Sequence, residues 1–356
     1  MNQPDGSYQA GRRQARKLDL GQGRVEMSHG AGGRAMADLI ELLFREAFDN
    51  PLLNQANDQA CFEVEAGCMV MTTDSFVISP LFFPGGNIGS LAVHGTVNDL
   101  AMGGAKPLYL TAGFILEEGL PLADLAAIVG AMAAAAREAG VQIVTGDTKV
   151  VERGKGDGVF INTAGVGRVL PGVKVSGELA RPGHKVLVSG TVGDHGVAVM
   201  SLRRGLEFAT ALESDSASLN GLVSDMVVAA DGGLRVLRDP TRGGVAATLN
   251  EIASQSAVGV RVDEPSLPVK PEVRGACELL GLDPLNVANE GKLIAVVEAD
   301  SAAPVLSAMR AHPLGREAAI VGEIVEDTMQ LVRMITHIGG ERVIDWLHGE
   351  QLPRIC

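Results

Sequence analysis

The chain alternates between short apolar runs, which predict strands, and longer segments with helical periodicity. Strands are predicted at residues 69–73, 143–146, 185–189 and 293–297. Helices are predicted at residues 35–48, 88–102, 122–139 and 242–253. Gly140 is a natural stop for the third helix. Alternating strands and helices are typical of an α/β fold.

The length of the chain and the position of its turn residues indicate two domains. The 356 residues suffice for two domains. Proline and glycine occur at both ends of residues 170–183 and predict a linker there. This divides the chain into a mobile extension, a first domain, the linker, a second domain and a flexible tail without core periodicity. Their predicted ranges are 1–22, 23–169, 170–183, 184–345 and 346–356.

Composition excludes several classes of function. The net charge of −13, without a long basic stripe, argues against nucleic acid as the main partner. No apolar run reaches the roughly 18 residues needed to span a bilayer. Hydrophobic residues make up 46% of the chain, which is ample for two cores. The four cysteines lack paired or zinc-binding spacing, so we expect reduced thiols in the cytoplasm.

The sequence ends at Cys356, three residues after Pro353. A thiol at the end of a flexible segment can be carried into a pocket as a tethered substrate. The alternative is a frayed terminus whose last residue happens to be cysteine, since termini are usually loose. The position does not fit a prenylation signal, which needs the cysteine three residues before the end.

A glycine-rich loop at residues 28–33, Ser-His-Gly-Ala-Gly-Gly, precedes the first predicted helix. Glycines let backbone amides approach phosphate oxygens, and a helix N-terminus favours an anion. Such loops are common, so the motif alone leaves nucleotide binding open. The chain has no GxxxxGK[ST] motif and is therefore not a P-loop enzyme.

Four aspartates lie in glycine- or threonine-rich segments, three of them at the ends of predicted elements. They are Asp74, Asp99, Asp147 and Asp239. Carboxylates are the ligands that Mg²⁺ takes when it also holds phosphates. Each aspartate alone is more often a helix cap or a turn residue. The set of four favours a metal–nucleotide site.

Two further residues are candidates for catalysis. Glu290 precedes a predicted strand and is either a general base or a turn acid paired with Lys292. Lys149 follows Asp147 by two residues, so both side chains should point to the same side of an extended segment. Its ammonium would then stabilise developing negative charge. His94 and His195 lie among small apolar residues and are expected to be packed rather than catalytic.

Several of these segments resemble the HypE family of hydrogenase maturation proteins, within the PurM-like ATP-binding superfamily. The resemblance runs from about residue 24 to the end and rests on HGAGG, NDLAMGGAKP, GDTKVV, RDPTRGG, NEGKL and the final PRIC. The aspartate motifs are shared across the superfamily, whereas NDLAMGGAKP together with PRIC is more specific. The resemblance implies two α/β domains, with a β-barrel formed across a homodimer and ATP bound near that interface.

The resemblance also implies an activity: ATP-dependent dehydration of an S-carbamoyl group on Cys356 to a thiocyanate. This supplies cyanide ligands for the iron of [NiFe]-hydrogenase. The implied partners are the carbamoyltransferase HypF and the HypC–HypD iron scaffold. Cys356, Glu290 and Lys149 become the expected catalytic residues. The expected cofactors are ATP and Mg²⁺, with the four aspartates as metal ligands. The expected nucleotide-binding residues are His29, Gly30, Gly32, Gly33, Asp74, Asn98, Asp99, Asp147, Thr148 and Asp239.

Two other hypotheses remain open from the residues. One is a different PurM-like ATP enzyme that acts on a free small molecule, which should work unchanged without Cys356. The other is a non-enzymatic carrier that only displays a modified thiol, which would not turn over ATP.

Overall fold

The computed structural model describes residues 18–31, 33–55, 57, 59–63, 65–205, 212–346 and 352–356. Gly32 of the glycine loop, residues 1–17 of the predicted extension and residues 347–351 of the predicted tail lie outside these ranges. Leu18 and Leu20 pack against the core of the first domain. The expectation of a mobile extension up to residue 22 is therefore corrected, because the chain already contacts the domain at residue 18.

The first domain is a four-stranded sheet with helices on one face. Its strands are β1 (Met69–Phe76), β2 (Phe82–Phe83), β3 (Gly86–Asn87), β4 (Ala105–Glu117), β5 (Gln142–Val151) and β6 (Val159–Val169). Its helices are α1 (Arg34–Leu39), α2 (Ile88–Met102) and α3 (Leu122–Ala139), and a π-helical turn at Ile40–Arg45 extends α1. Short 3₁₀ turns lie at Met27–Gly30 and Leu53–Gln55. The sheet order is β1-β6-β4-β5, with only β4 and β5 parallel, and β2 and β3 form a separate hairpin.

Helix α2 is buried on almost all sides, between the sheet and α3. Asn87 caps it by accepting hydrogen bonds from the backbone N–H groups of Gly89 and Ser90. A β-carbon at Gly89 would lie 2.2 Å from the carbonyl oxygen of Ile128, so only glycine allows α3 to approach this closely. The small residues of α2 thus bring its last turn, with Asp99, against β1.

The two faces of the first sheet have different surroundings. Because paired residues share a face, the register places Asp74 with Thr163 on the face covered by α2. Gly113 of β4 pairs with Asp147 on one side and with Asn162 on the other, so these three residues lie on the opposite face. Both aspartates lie inside strands, so the prediction that they follow strand ends is wrong. Within the described residues the sheet is open, with β1 and β5 at its edges.

The second domain is a seven-stranded sheet with helices on both faces. Its strands are β7 (Lys185–Val188), β8 (Leu234–Arg238), β9 (Gly259–Asp263), β10 (Ile294–Val297), β11 (Ala319–Val325), β12 (Val332–Ile335) and β13 (Glu341–Val343). Its helices are α4 (Asp194–Arg204), α5 (Asn220–Ala230), α6 (Gly244–Ser256), α7 (Pro271–Leu280) and α8 (Ala299–Ala311). Further 3₁₀ turns lie at Glu264–Ser266, Pro284–Asn286 and Pro313–Gly315. In the described part of the chain, no helix combines the length and apolar character needed to cross a membrane.

The order of this sheet, β13-β12-β9-β11-β7-β10-β8, brings two predicted site residues together. Strand β10 runs antiparallel to β8, with Ile294 opposite Arg238. The loop that follows β8 and the loop that precedes β10 therefore meet at one edge. Asp239 lies in the first loop and Glu290 in the second.

Candidate active site

Four acidic side chains meet where the two domains face each other. Asp74 on β1 and Asp99 on α2 come from the first domain, and Asp239 and Glu290 come from the second. Each lies close enough to the others for their charges to interact. Asp99 also accepts a hydrogen bond from the Thr72 hydroxyl at 2.7 Å. We call these four residues the acid cluster.

Burial and mutual repulsion make the acid cluster hard to ionise. Burial raises the pKa of Asp74 and Asp99, with Asp74 adding to the rise at Asp99. Burial and the neighbouring Asp99 raise the pKa of Asp239 to about 7. Burial, followed by the charge of Asp239, raises the pKa of Glu290 well above its usual value. The cluster therefore favours a proton or a cation.

Glu290 is fixed through its backbone, whereas its carboxylate is only partly engaged. Its N–H donates to Asp215 at 3.0 Å, and its carbonyl oxygen accepts from Asn98 at 3.2 Å. Asp215 is paired with Lys292 at 3.2 Å. Lys292 thus pairs with Asp215, and not with Glu290 as one of the two sequence hypotheses expected. One buried carboxylate oxygen of Glu290, Oε1, has no hydrogen-bond partner among the described residues.

The thiol of Cys356 lies at this cluster. Burial raises its pKa above the usual range of a thiol, and the charge of Glu290 is the next cause. Arg242 is close enough to lower the pKa of both Cys356 and Asp74. The end of the predicted tail is therefore docked, and its thiol is close enough to Glu290, the residue predicted to be the base, for the charge of Glu290 to act on it.

Residues 352–356 bind along the segment that follows β1. Val77 donates its N–H to the carbonyl oxygen of Cys356 at 3.1 Å, and Arg354 donates Nε to the oxygen of Val77 at 3.0 Å. The side chain of Ile355 is 2% exposed and packs in the first core. Arg354 is also paired with Asp157. Apolar burial and main-chain hydrogen bonds together hold the tail.

Asp147, Thr148 and Lys149 do not join the acid cluster within one chain. Lys149 contacts both carboxylate oxygens of Asp147 at 2.6 Å, which confirms that the two side chains share one side of the strand. Both are about three-fifths exposed, on the open face. Thr148 is buried on the other face. Strand β5 lies three strand spacings from β1, roughly 14 Å away.

The glycine loop packs against β5 rather than against the acid cluster. A β-carbon at Gly30 would lie 2.7 Å from the backbone nitrogen of Val150, so the loop needs glycine for this close approach. His29 is buried, and its Nδ1 accepts a hydrogen bond from the N–H of Glu26 at 2.9 Å. Gly33 is the N-cap of α1. The loop thus lies beside the strand that holds Asp147.

The acid cluster fits a metal bound together with phosphates. Among the described residues, no three acidic, histidine or cysteine side chains already form a metal-binding group. Asp74 raises the pKa of Asp99, however, and both raise the pKa of Asp239, so a cation placed among these carboxylates would relieve their repulsion. Mg²⁺ takes few protein ligands and keeps oxygens from phosphates and water. The donor set suits that ion.

Three residues at the site have contacts that the sequence did not predict. Asn98, expected at the nucleotide, donates to the oxygens of Ala217 and Glu290 and thereby links the two domains. His195 was expected to be packed; it is fully buried, yet it also contacts the tail. Arg203 contacts the tail as well. No local sequence signal distinguishes His195 or Arg203, because both act on residues about 150 positions away.

Comparison with known proteins defines the class of the chain. Residues 56–169 match the N-terminal domain of AIR synthase related proteins, and residues 181–334 match the C-terminal domain. The carbamoyl dehydratase HypE of Rhizobium leguminosarum bv. viciae is 64% identical over 341 residues, which cover 96% of this chain and 97% of the relative. The chain belongs to the HypE family of carbamoyl dehydratases.

Solved structures agree with this assignment. A structure of hydrogenase maturation protein HypE in complex with ATP has a TM-score of 0.90 and 51% identity, covering 93% of this chain and 99% of the other. A structure of a HypE–HypF complex has a TM-score of 0.77 and 52% identity, covering 87% and 99%. These similarities establish the two-domain PurM-like fold.

Proposed function

We propose that this chain catalyses the ATP-dependent dehydration of an S-carbamoyl group on Cys356 to a thiocyanate, which supplies cyanide for the iron of [NiFe]-hydrogenase. Membership of the HypE family supports this proposal. ATP as the co-substrate is supported by the ATP complex of a similar protein. The observation that carries the proposal is the docked tail, which brings the thiol of Cys356 within reach of the charge of Glu290.

The reaction needs ATP because an amide oxygen is a poor leaving group. The thiocarboxamide oxygen attacks the γ-phosphorus of ATP, so that an oxygen–phosphorus bond forms and ADP leaves. Loss of both protons from nitrogen and cleavage of the carbon–oxygen bond then release phosphate. The product is Cys356–S–C≡N. ATP and the thiocarboxamide together give the thiocyanate, ADP and phosphate. The oxygen and the two protons that the carbamoyl group loses leave with the phosphate.

Glu290 is our candidate for the base that removes a proton from nitrogen. A buried carboxylate with a raised pKa is a stronger base than an exposed one. The orientation of its backbone is fixed by Asp215 and Asn98. Ile355, which precedes Cys356, is buried in the first core and keeps this part of the tail apolar, which helps exclude water from the activated intermediate.

Asp74, Asp99 and Asp239 would hold Mg²⁺. When bound, the metal would neutralise phosphate charge and the repulsion within the acid cluster. Because the pKa of Asp239 is raised to about 7, a cation at this position competes with a proton. The protein's contribution is to place three carboxylates at the domain junction.

We further propose a homodimer that covers the open face of the first sheet. Met71 on this face is 75% exposed, and the edge strands β1 and β5 are unpaired within the described chain. Asp147 and Lys149 lie on the same face. If they act on the same ATP as the acid cluster, a second copy must supply them.

Mixed dimers test this arrangement. Asp147→Asn and Asp239→Asn proteins, each inactive alone, should recover part of the ATP turnover when mixed. Lack of recovery in a demonstrated mixed dimer would show that both residues must come from one chain, or that Asp147 is not a ligand.

The chemistry requires one partner before the dehydration and another after it. A carbamoyl donor enzyme must load Cys356, and HypF is supported by the HypE–HypF complex of a similar protein. An iron scaffold, HypC–HypD, would accept the cyanide. The tail must leave the site to meet either one, and we place the protein in the cytoplasm, where ATP and reduced thiols occur.

Separate assays of the two steps test the proposed function. Cys356→Ala should keep the fold and ATP binding but accept no carbamoyl group from HypF. Carbamoylation of Cys61, Cys68 or Cys277 at the native rate in that variant would refute the role of the tail. Normal ATP turnover on an added small molecule in the same variant would favour the free-substrate alternative.

A further inference from the structure

Arg203, in the last turn of α4, holds the first half of the tail. Its Nη1 donates to the carbonyl oxygen of Pro353 at 2.5 Å, and its Nη2 donates to the oxygen of Arg354. Its Nε donates to the oxygen of Ser79. The planar guanidinium therefore joins the tail to the segment on which it lies.

His195, in the first turn of the same helix, holds the second half of the tail. Its Nε2 lies 2.8 Å from the carbonyl oxygen of Ile355, and its Nδ1 lies 2.7 Å from the Ser214 hydroxyl. A carbonyl oxygen only accepts, so Nε2 carries the proton and Nδ1 accepts from Ser214. Burial lowers the pKa of His195, which favours this neutral form.

The segment that orients His195 also orients Glu290. Ser214 donates its N–H to the carbonyl oxygen of Pro84 at 2.8 Å, which anchors the segment on the first domain. The next residue, Asp215, accepts from the N–H of Glu290 at 3.0 Å. The position of the tail and the position of the candidate base are thus set by adjacent residues.

We propose that His195 and Arg203, which we call the tail clamp, are positioning residues that recognise the tail by its main chain and fix the register in which the sulfur of Cys356 meets Glu290. Together with Val77, they bind all four carbonyl oxygens of residues 353–356. These contacts do not involve Sγ, so free and carbamoylated tails dock alike. The consequence for dehydration rests on the proposed function; the docking itself does not.

Thiol alkylation measures the docking without ATP or partners. Cys61 and Cys68 are exposed and report the activity of the reagent, whereas Cys277 is buried in the second domain and reports unfolding. Iodoacetamide labelling followed by peptide mass spectrometry gives a rate for each thiol. In the unmutated protein, Cys356 should react much more slowly than Cys61.

Arg203→Ala should speed alkylation of Cys356 at least tenfold, equivalent to about 1.4 kcal/mol in the docking equilibrium. Cys277 should remain protected. Arg204→Ala, at the exposed neighbouring position, is the matched control and should change neither rate. His195→Phe fills the buried space without the hydrogen bond and should behave like Arg203→Ala. Wild-type protection of Cys356 in both clamp variants would overturn the proposal.

A conservative variant decides the case if Arg203→Ala also exposes Cys277. Arg203→Lys keeps the charge and should give intermediate labelling of Cys356 with Cys277 protected. Wild-type protection of Cys356 in Arg203→Lys would then overturn the clamp.

The catalytic consequence is measured on protein carbamoylated beforehand. The clamp variants should accept the carbamoyl group from HypF at the normal rate and dehydrate it at least tenfold more slowly. If Cys356 is alkylated faster in the clamp variants but dehydration keeps its wild-type rate, the positioning role is refuted and the proposed function remains intact. Absence of thiocyanate even in the unmutated protein would refute the proposed function, whereas the alkylation result would stand.

Discussion

Replacement of Glu290 by glutamine keeps the shape of the side chain and removes its charge. The carboxylate is buried, and its Oε1 has no hydrogen-bond partner among the described residues. Its charge is opposed by burial and by Asp239, Asp215, Asp74 and Asp99. The substitution therefore removes repulsion from the site, and we expect the variant to be at least as stable as the unmutated protein.

The loss of catalysis follows from the role of a positioned base. General base catalysis contributes roughly 10² to 10⁴ in rate, about 3–5 kcal/mol of the barrier. Dehydration in Glu290→Gln should slow by that factor. Carbamoylation should not slow, because the tail leaves the site to meet HypF, so that Cys356 is loaded away from Glu290. The variant should therefore accumulate the thiocarboxamide.

A single-turnover assay separates these effects. Protein carbamoylated by HypF is freed of nucleotide, mixed with ATP and quenched at intervals. The mass of the terminal peptide is then measured by mass spectrometry. Glu326→Gln, which changes an exposed carboxylate in the second domain, is the control and should react normally. Thiocyanate formed at the normal single-turnover rate in Glu290→Gln would eliminate Glu290 as the base.

Three further predictions concern the acids, the histidines and the open face. Asp239→Asn should lower ATP turnover at least tenfold while carbamoylation of Cys356 persists; unchanged turnover would remove Asp239 from the metal site. Burial lowers the pKa of His94 from 6.5 to about 4, so the unfolded state binds a proton that the folded state resists. Stability present above pH 6.5 should thus fall by up to about 3 kcal/mol as the pH approaches 4. In denaturant unfolding, the free energy of unfolding should fall less at acid pH in His94→Asn than in the unmutated protein, whereas the exposed control His337→Gln should behave like the unmutated protein. Equal losses in all three proteins would assign the effect to another group. Met71→Asp should shift sedimentation from dimer to monomer, and an unchanged dimer would place the interface elsewhere.

Elements with strong local signals could be predicted from the sequence. Helix α2 has the bounds predicted for it, residues 88–102, and in the structure Asn87 caps one end and glycines follow the other. Helix α3 likewise ends at Gly140, whose φ is +71°. The strand ends were less predictable. Asp74 continues β1 because pairing with β6 extends past the apolar run, and a half-exposed sheet tolerates a carboxylate.

The composition of the site was more predictable than its geometry. The aspartate and glutamate motifs contain all four residues of the acid cluster, but they also contain Asp147, which lies elsewhere on the sheet. The separation of Asp147 from the cluster could not be predicted, because it depends on which face of the sheet α2 covers. The position of the tail depends on contacts between α4 and residues about 150 positions later. Such contacts exist only once both domains are folded.

The proposed function requires that ATP drives the loss of water from a carbamoyl group on Cys356 within this chain. The most direct test uses protein carbamoylated with ¹³C-labelled carbamoyl phosphate, purified away from HypF and nucleotide, and then given ATP and Mg²⁺. We expect the peptide ending at Cys356 to lose the mass of one water and to retain the label, with one ADP formed for each thiocyanate. Retention of the intact thiocarboxamide during ATP hydrolysis, or loss of the label with release of a free thiol, would contradict it.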